Sequence, residues 1–144
     1  MTDHIDIAAI RTAARAAMEG PWVAPISSPL DVVLPAAYRD KLAVTVVTAK
    51  TRTEAQFITA FDPLTTLELL ERKVPRPALE LLREHAHGAT AGIRSSHRVS
   101  ADCYEVSIDS TVVATTDSAD IATFLALMSS ETVLAILDRA GRDL

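Results

Sequence analysis

Two stretches of this chain nearly repeat each other. Residues Ala43–Arg72 (AVTVVTAKTRTEAQFITAFDPLTTLELLER) lie without a gap on Ser110–Arg139 (STVVATTDSADIATFLALMSSETVLAILDR). Eight positions are identical: Val46/Val113, Thr48/Thr115, Ala55/Ala122, Phe57/Phe124, Thr65/Thr132, Leu67/Leu134, Leu70/Leu137 and Arg72/Arg139. Chance in a chain this rich in Ala, Leu, Val and Thr would give roughly two or three. Duplication constrains the fold more than any single residue does, because a unit this small cannot cover its own apolar side and two copies can cover each other. The expected architecture is α+β. Two tandem α-β-β-α units, residues 1–74 and 75–144, share one antiparallel sheet, with helices packed on one face and a pseudo-two-fold axis between the halves.

Local signals fill in that plan. Ile5–Met18 reads as an amphipathic helix, with Ile7, Ile10, Ala14, Ala17 and Met18 on one side and Arg11 and Arg15 off it. Gly20-Pro21 stops it, and Trp22, the only tryptophan, follows as a plug for its end. Asp31–Leu34 reads as a short strand and Leu42–Thr48, apolar and β-branched, as a buried one. Thr51 and Glu54 have capping-box spacing and open a helix through Phe61. Asp62-Pro63 restarts it, Asp as N-cap and Pro as first helical residue, with Leu64, Leu67 and Leu70 turned inward. Val74-Pro75-Arg76-Pro77 reads as a stiff, extended linker. Beyond it, Ala78–His87 is predicted helical and ended by Gly88. Tyr104–Ile108 and Thr111–Thr115 are predicted strands across a turn at Asp109-Ser110. Asp117 or Ser118 caps the next helix. Ser129 stands where Asp62 stands in the first copy and caps an equivalent restart that carries Val133, Ile136 and Leu137 to Gly141. Phe57, Phe61 and Phe124 fall on the inward faces.

The 144 residues suffice for a core without staples, and 49% apolar against 23% charged residues argues against disorder. The net charge of −5 argues against direct binding of duplex DNA or of an anionic membrane through the whole surface. One cysteine, Cys103, excludes an internal disulfide and suits a reducing compartment. The N-terminus lacks the basic start and apolar run of a signal peptide, and no apolar stretch approaches the length of a membrane span. A soluble, cytoplasmic protein is expected.

Candidate chemistry is sparse. His85 and His87 are two apart on a helix and face away from each other, which does not suit one metal. Cys103 becomes a nucleophile only with a histidine nearby, and His97 lies six residues before it. There is no nucleophile elbow and no glycine-rich phosphate loop. Asp102/Glu105 and Asp117/Asp120 are spaced as caps and solvated turns. The expectation is a non-enzyme without cofactor or metal. Gly88–Arg98 (GATAGIRSSHR) is the most ligand-like stretch: a loop whose Arg94, Ser95, Ser96, His97 and Arg98 suit a phosphate or carboxylate. Trp22 and Tyr38 can flank a base or a partner's side chain, with core packing the alternative for Trp22.

The alanine-rich helix ending in Gly20, Pro21 and Trp22, with the later segment carrying Ala55, Phe57, Ile58, Pro63 and Leu69–Leu70, resembles the ead-like family of bacteriophage early accessory proteins. The second stretch keeps Ala122, Phe124 and Leu137 but has Leu125 and Ser130 where the first has Ile58 and Pro63. The resemblance implies a phage accessory protein of the early, host-takeover stage and carries over no catalytic residue. Together these readings point to a protein that binds and disables a host defence component by masking its surface. A sponge that sequesters a small anionic nucleotide signal through Arg94, Arg98 and His97 is the alternative, and a structural role the third. Apolar helices in so short a chain also leave room for a homodimer.

Overall fold

The structure is a computed structural model that describes residues 6–17, 21–24, 30–34, 44–88 and 92–141. In chain order these form α1 (Ile7–Ala17), β1 (Asp31–Leu34), β2 (Val44–Ala49), α2 (Arg52–Ala60), α3 (Pro63–Leu70) and α4 (Arg76–Gly88). Then follow β3 (Arg94–Ser100), β4 (Cys103–Ile108), β5 (Thr111–Thr116), α5 (Ala119–Leu127) and α6 (Ser130–Gly141). The helix stop at Gly20 and the aromatic Tyr38 lie outside the described residues.

The strands make one antiparallel sheet in the order β1-β2-β5-β4-β3. Helices α2 and α5 lie against it, α1 packs on α5 and α3, and α4 packs on α6 and α2. Val32, Val47, Val106 and Ala114 turn to the helices and are at most 1% exposed. Phe61, Phe124, Ile58, Leu69, Ile136 and Leu137 are the largest fully buried side chains. Burying each such side chain contributes about 1.5–3 kcal/mol. The expected α+β class and the antiparallel sheet with helices packed against it are what the chain forms.

Caps set the helix boundaries. Thr51 Oγ1 accepts the Glu54 N–H at 3.1 Å and starts α2. Asp62 Oδ1 accepts the Thr65 N–H at 2.8 Å and starts α3, with Pro63 in the first turn. Ser118 Oγ accepts the Ile121 N–H at 3.2 Å and starts α5, and Ser129 Oγ accepts the Thr132 N–H at 3.2 Å beside the start of α6. Each acceptor satisfies a donor that the helix itself leaves open. The break at Met128-Ser129 bends α5 against α6 by 70°. No single described helix is long and apolar enough to cross a membrane.

The bounds of the two halves run in step. β5 and α5 begin and end at the same sequence offset from β2 and α2 that separates Val113 from Val46, and α6 begins at that offset from α3. At the centre of the sheet Thr48 lies opposite Thr115, the matching residue of the other stretch. Because α1 crosses to α5 and α4 crosses to α2, the halves interleave rather than sit side by side.

Two local expectations need correction. The Val74–Pro77 segment is not an extended linker throughout, since α4 already begins at Arg76 with Pro77 in its first turn. Proline is tolerated there because first-turn N–H groups have no helical acceptor. Residues 94–98 are not a loop but the greater part of β3, which makes the second half three-stranded. Gly92 leads into that strand at φ +131, and a Cβ there would meet the Ile108 side chain at 2.5 Å.

Candidate functional site

The six residues singled out from the sequence do not converge. Trp22 is 2% exposed and meets the Phe124 ring edge-on at 6.2 Å between centroids. Its backbone N–H donates to Asp62 Oδ2 at 2.9 Å, so Trp22 is tied to the cap of α3. Burial pushes the Asp62 carboxyl above its ordinary 3.8, against the pull of the Trp22 and Thr65 N–H donors, and Glu68 adds to the rise. Trp22 thus belongs to the core and offers no open ring to a ligand.

Arg94 is likewise inside. Its Nη1 and Nη2 both donate to Glu54, to Oε2 and, at 3.1 Å, to Oε1. The two side chains are 1% and 3% exposed, and the guanidinium carbon lies 4.9 Å from the centre of the Phe57 ring. Among the described residues the Arg94 Nε–H has no partner, but the buried bidentate pair closes the whole guanidinium to an anion arriving from solvent. Glu54 has the spacing of a capping box but turns its carboxylate to a partner 40 residues away instead. That partner is out of reach of any local sequence pattern.

Ser95, Ser96, His97 and Arg98 remain, all exposed on β3. Consecutive strand residues point to opposite faces, so His97 and Arg98 cannot grip one phosphate from one side. His97 Nε2 lies 3.1 Å from Glu105 Oε1 on β4, and Arg98 Nε donates to the Ser100 carbonyl at 3.1 Å.

A different arrangement crosses the sheet. Asp31 stands opposite Thr48, Thr48 opposite Thr115, Thr115 opposite Glu105, and Glu105 opposite His97. One polar side chain per strand therefore lines up across all five, on the face away from Val32, Val47, Val106 and Ala114. Thr48 and His97 are exposed and the other three half-buried. Next to the middle of this row is a cavity of about 250 Å³, bordered by Thr48, Thr115, Asp102, Cys103 and Asp117 among others. Its lining holds two carboxylates and no lysine, arginine or histidine, so it neither suits a phosphate nor gives Cys103 a base. Sequence reading missed the row because it depends on which strands are neighbours. Its one visible signal was the repeat identity Thr48/Thr115.

Two other cavities mix both signs: one of about 380 Å³ carries Arg76 and Arg83 beside Glu80 and Asp138, and one of about 290 Å³ carries Lys50 beside Glu54 and Asp109. A cavity of about 650 Å³ carries Asp6 and Asp120 without a cation. His85 and His87 sit in the last turn of α4. Among the described residues no group of three or more His, Cys, Asp or Glu is placed to hold a metal. In comparisons with protein-family models, with curated proteins and with solved structures, nothing matches this chain.

Proposed function

We propose that this chain is a non-enzymatic binding protein that engages a protein partner through the side of its sheet turned away from Val32, Val47, Val106 and Ala114. The observation that carries the reading is the polar row Asp31–Thr48–Thr115–Glu105–His97, set on a rigid five-strand support. It offers hydroxyls, carboxylates and an imidazole without a nucleophile–base pair or a cluster of cations, which suits contact with a surface better than conversion or capture of a small anion. The nucleotide-sponge alternative loses Arg94 to Glu54, and the cavity beside the row holds carboxylates without a cation.

The more specific form of the reading is a phage accessory protein in the host cytosol that masks a defence component. It rests on the resemblance carried by Gly20–Trp22 and Ala55–Leu70. We also propose that the chain arose as two copies of one unit. Matching element bounds, matching cap positions and the pairing of Thr48 with Thr115 support that origin.

Capture from host lysate tests the function. The immobilised chain should retain one partner, and Thr48→Arg with Thr115→Arg, which places two large cations in the row, should lose it while melting as the wild type does. A partner held equally well by the double variant would refute the proposed face.

A further inference from the structure

The two edges of the sheet are finished differently. Beside β1, Val23 exchanges both backbone hydrogen bonds with Val33, at 2.9 and 2.8 Å, and covers part of that edge. Among the described residues β3 pairs with β4 on one side only and ends the sheet on the other. Its residues Ser95–Ser100 are all exposed, with Val99 at 55% and the adjoining Ile93 at 86%. The strand holds no lysine, proline or carboxylate, and the edge guards it does carry, Arg98 and the adjoining bulge, both lie at its far end.

We propose that β3 is a self-association edge, on which a second copy of this chain adds its own β3 antiparallel about a two-fold axis at His97. The pairing of side chains favours this register. In antiparallel pairing, backbone groups that point outward must meet others that point outward, so the axis passes through a residue and not between two. An axis at Arg98 sets arginine opposite arginine, and an axis at Ser96 sets Arg98 against Arg94, whose charge Glu54 already meets inside each copy. An axis at His97 sets Arg98 against Ser96, and brings the two His97 side chains together with each backed by its own Glu105 carboxylate at 3.1 Å. The resulting line is Glu–His–His–Glu, with the imidazole pair flanked by a carboxylate at each end. The bulge between Arg98 and Ser100 ends regular pairing, so the shared ladder is short and centred on Ser96–Arg98. Joined in this way, the two polar rows run on into one line across ten strands. The inference goes beyond the proposed function, since self-association is measured with no partner present.

Light scattering coupled to size exclusion, run on the full chain over a concentration series, tests it. The wild type is expected to reach twice the 15.5 kDa chain mass. Ser96→Arg faces Arg98 of the second copy at two places and should return the chain to a monomer, whereas Ser96→Glu faces the same arginine and should keep the dimer. Circular dichroism on both variants confirms that they fold. A wild type that stays monomeric at the highest attainable concentration overturns the proposal. So does a dimer that survives Ser96→Arg or is lost in Ser96→Glu, which would place the contact elsewhere or in another register.

Discussion

The stretches Val44–Leu70 and Thr111–Leu137 build the same frame from different chemistry. Both run strand, capped helix, break, capped helix, and both bury a phenylalanine, Phe57 or Phe124, at the matching position. The first stretch fills one inward position with Glu54, bonded to Arg94, where the second has the buried Ile121. It caps the second helix with the buried carboxylate of Asp62, where the second stretch has the hydroxyl of Ser129. The frame therefore does not need a charge at either place. What the charges add is long-range attachment. Glu54 fastens the start of β3 to α2, and Asp62 fastens the Trp22 segment to α3. The neutral counterparts make no such ties.

The largest effect should come from splitting the buried pair. Arg94→Ala leaves Glu54 charged, buried and without a counter-ion, and should cost about 3–5 kcal/mol in urea unfolding. Glu54→Ile with Arg94→Met copies the apolar solution of the other half and should recover most of that loss, because a well-packed apolar replacement of a buried ion pair is often neutral. If the double variant is as unstable as Arg94→Ala, the two helix positions are not interchangeable and the comparison breaks.

The caps sharpen it next. Asp62 accepts two backbone N–H groups and Ser129 one, so Asp62→Ala should cost about 2 kcal/mol and Ser129→Ala about 1 kcal/mol. Equal costs would mean that the Trp22 tie contributes nothing. A third tie runs the other way, from the second half to the first: Arg139 Nη1 donates to the Leu70 carbonyl at 3.0 Å, at the end of α3. Arg139→Ala should lower stability by roughly 0.5–1.5 kcal/mol, visible as faster amide exchange in the last turn of α3.

The smallest effect is a pH slope. Burial raises the folded-state pKa of Asp62 above 3.8, so the folded chain holds that proton more tightly than the unfolded chain does. This contribution makes stability fall as pH rises from the ordinary carboxylate value through the raised one. Asp62→Asn should remove the slope in that window. A difference curve between wild type and Asp62→Asn that stays flat there would show that the N–H donors fully offset burial, and one of opposite slope that they outweigh it.

How much of this was legible in the sequence depended on range. Thr51, Asp62, Ser118 and Ser129 act within three residues of themselves, and their caps were readable from spacing alone. Asp31–Leu34 was readable as a strand because Val32 and Val33 sit among turn residues. β3 was not, because RSSHRVS is exposed on both faces from Ser95 onward and so carries no alternation. The same lack of pattern made it look like a ligand loop. Arg94 was misjudged for a related reason: its partner Glu54 is 40 residues away, and nothing local separates a buried arginine from a solvated one. The polar row needed strand order, which the repeat suggested only through Thr48 and Thr115.

Thermal shift of the pure protein against cyclic dinucleotides, cyclic mononucleotides and ADP-ribose-type anions decides most directly between a surface binder and a sponge. With Arg94 held by Glu54, and His97 and Arg98 on opposite faces of β3, the melting temperature should not move with any of them. A ligand at about 100 times its dissociation constant adds roughly 2.7 kcal/mol, which in a chain of this size is a rise on the order of 5–10 °C. A rise of that kind with one anion, abolished by Arg98→Ala, would contradict the surface-binding reading and restore a small-molecule site on β3.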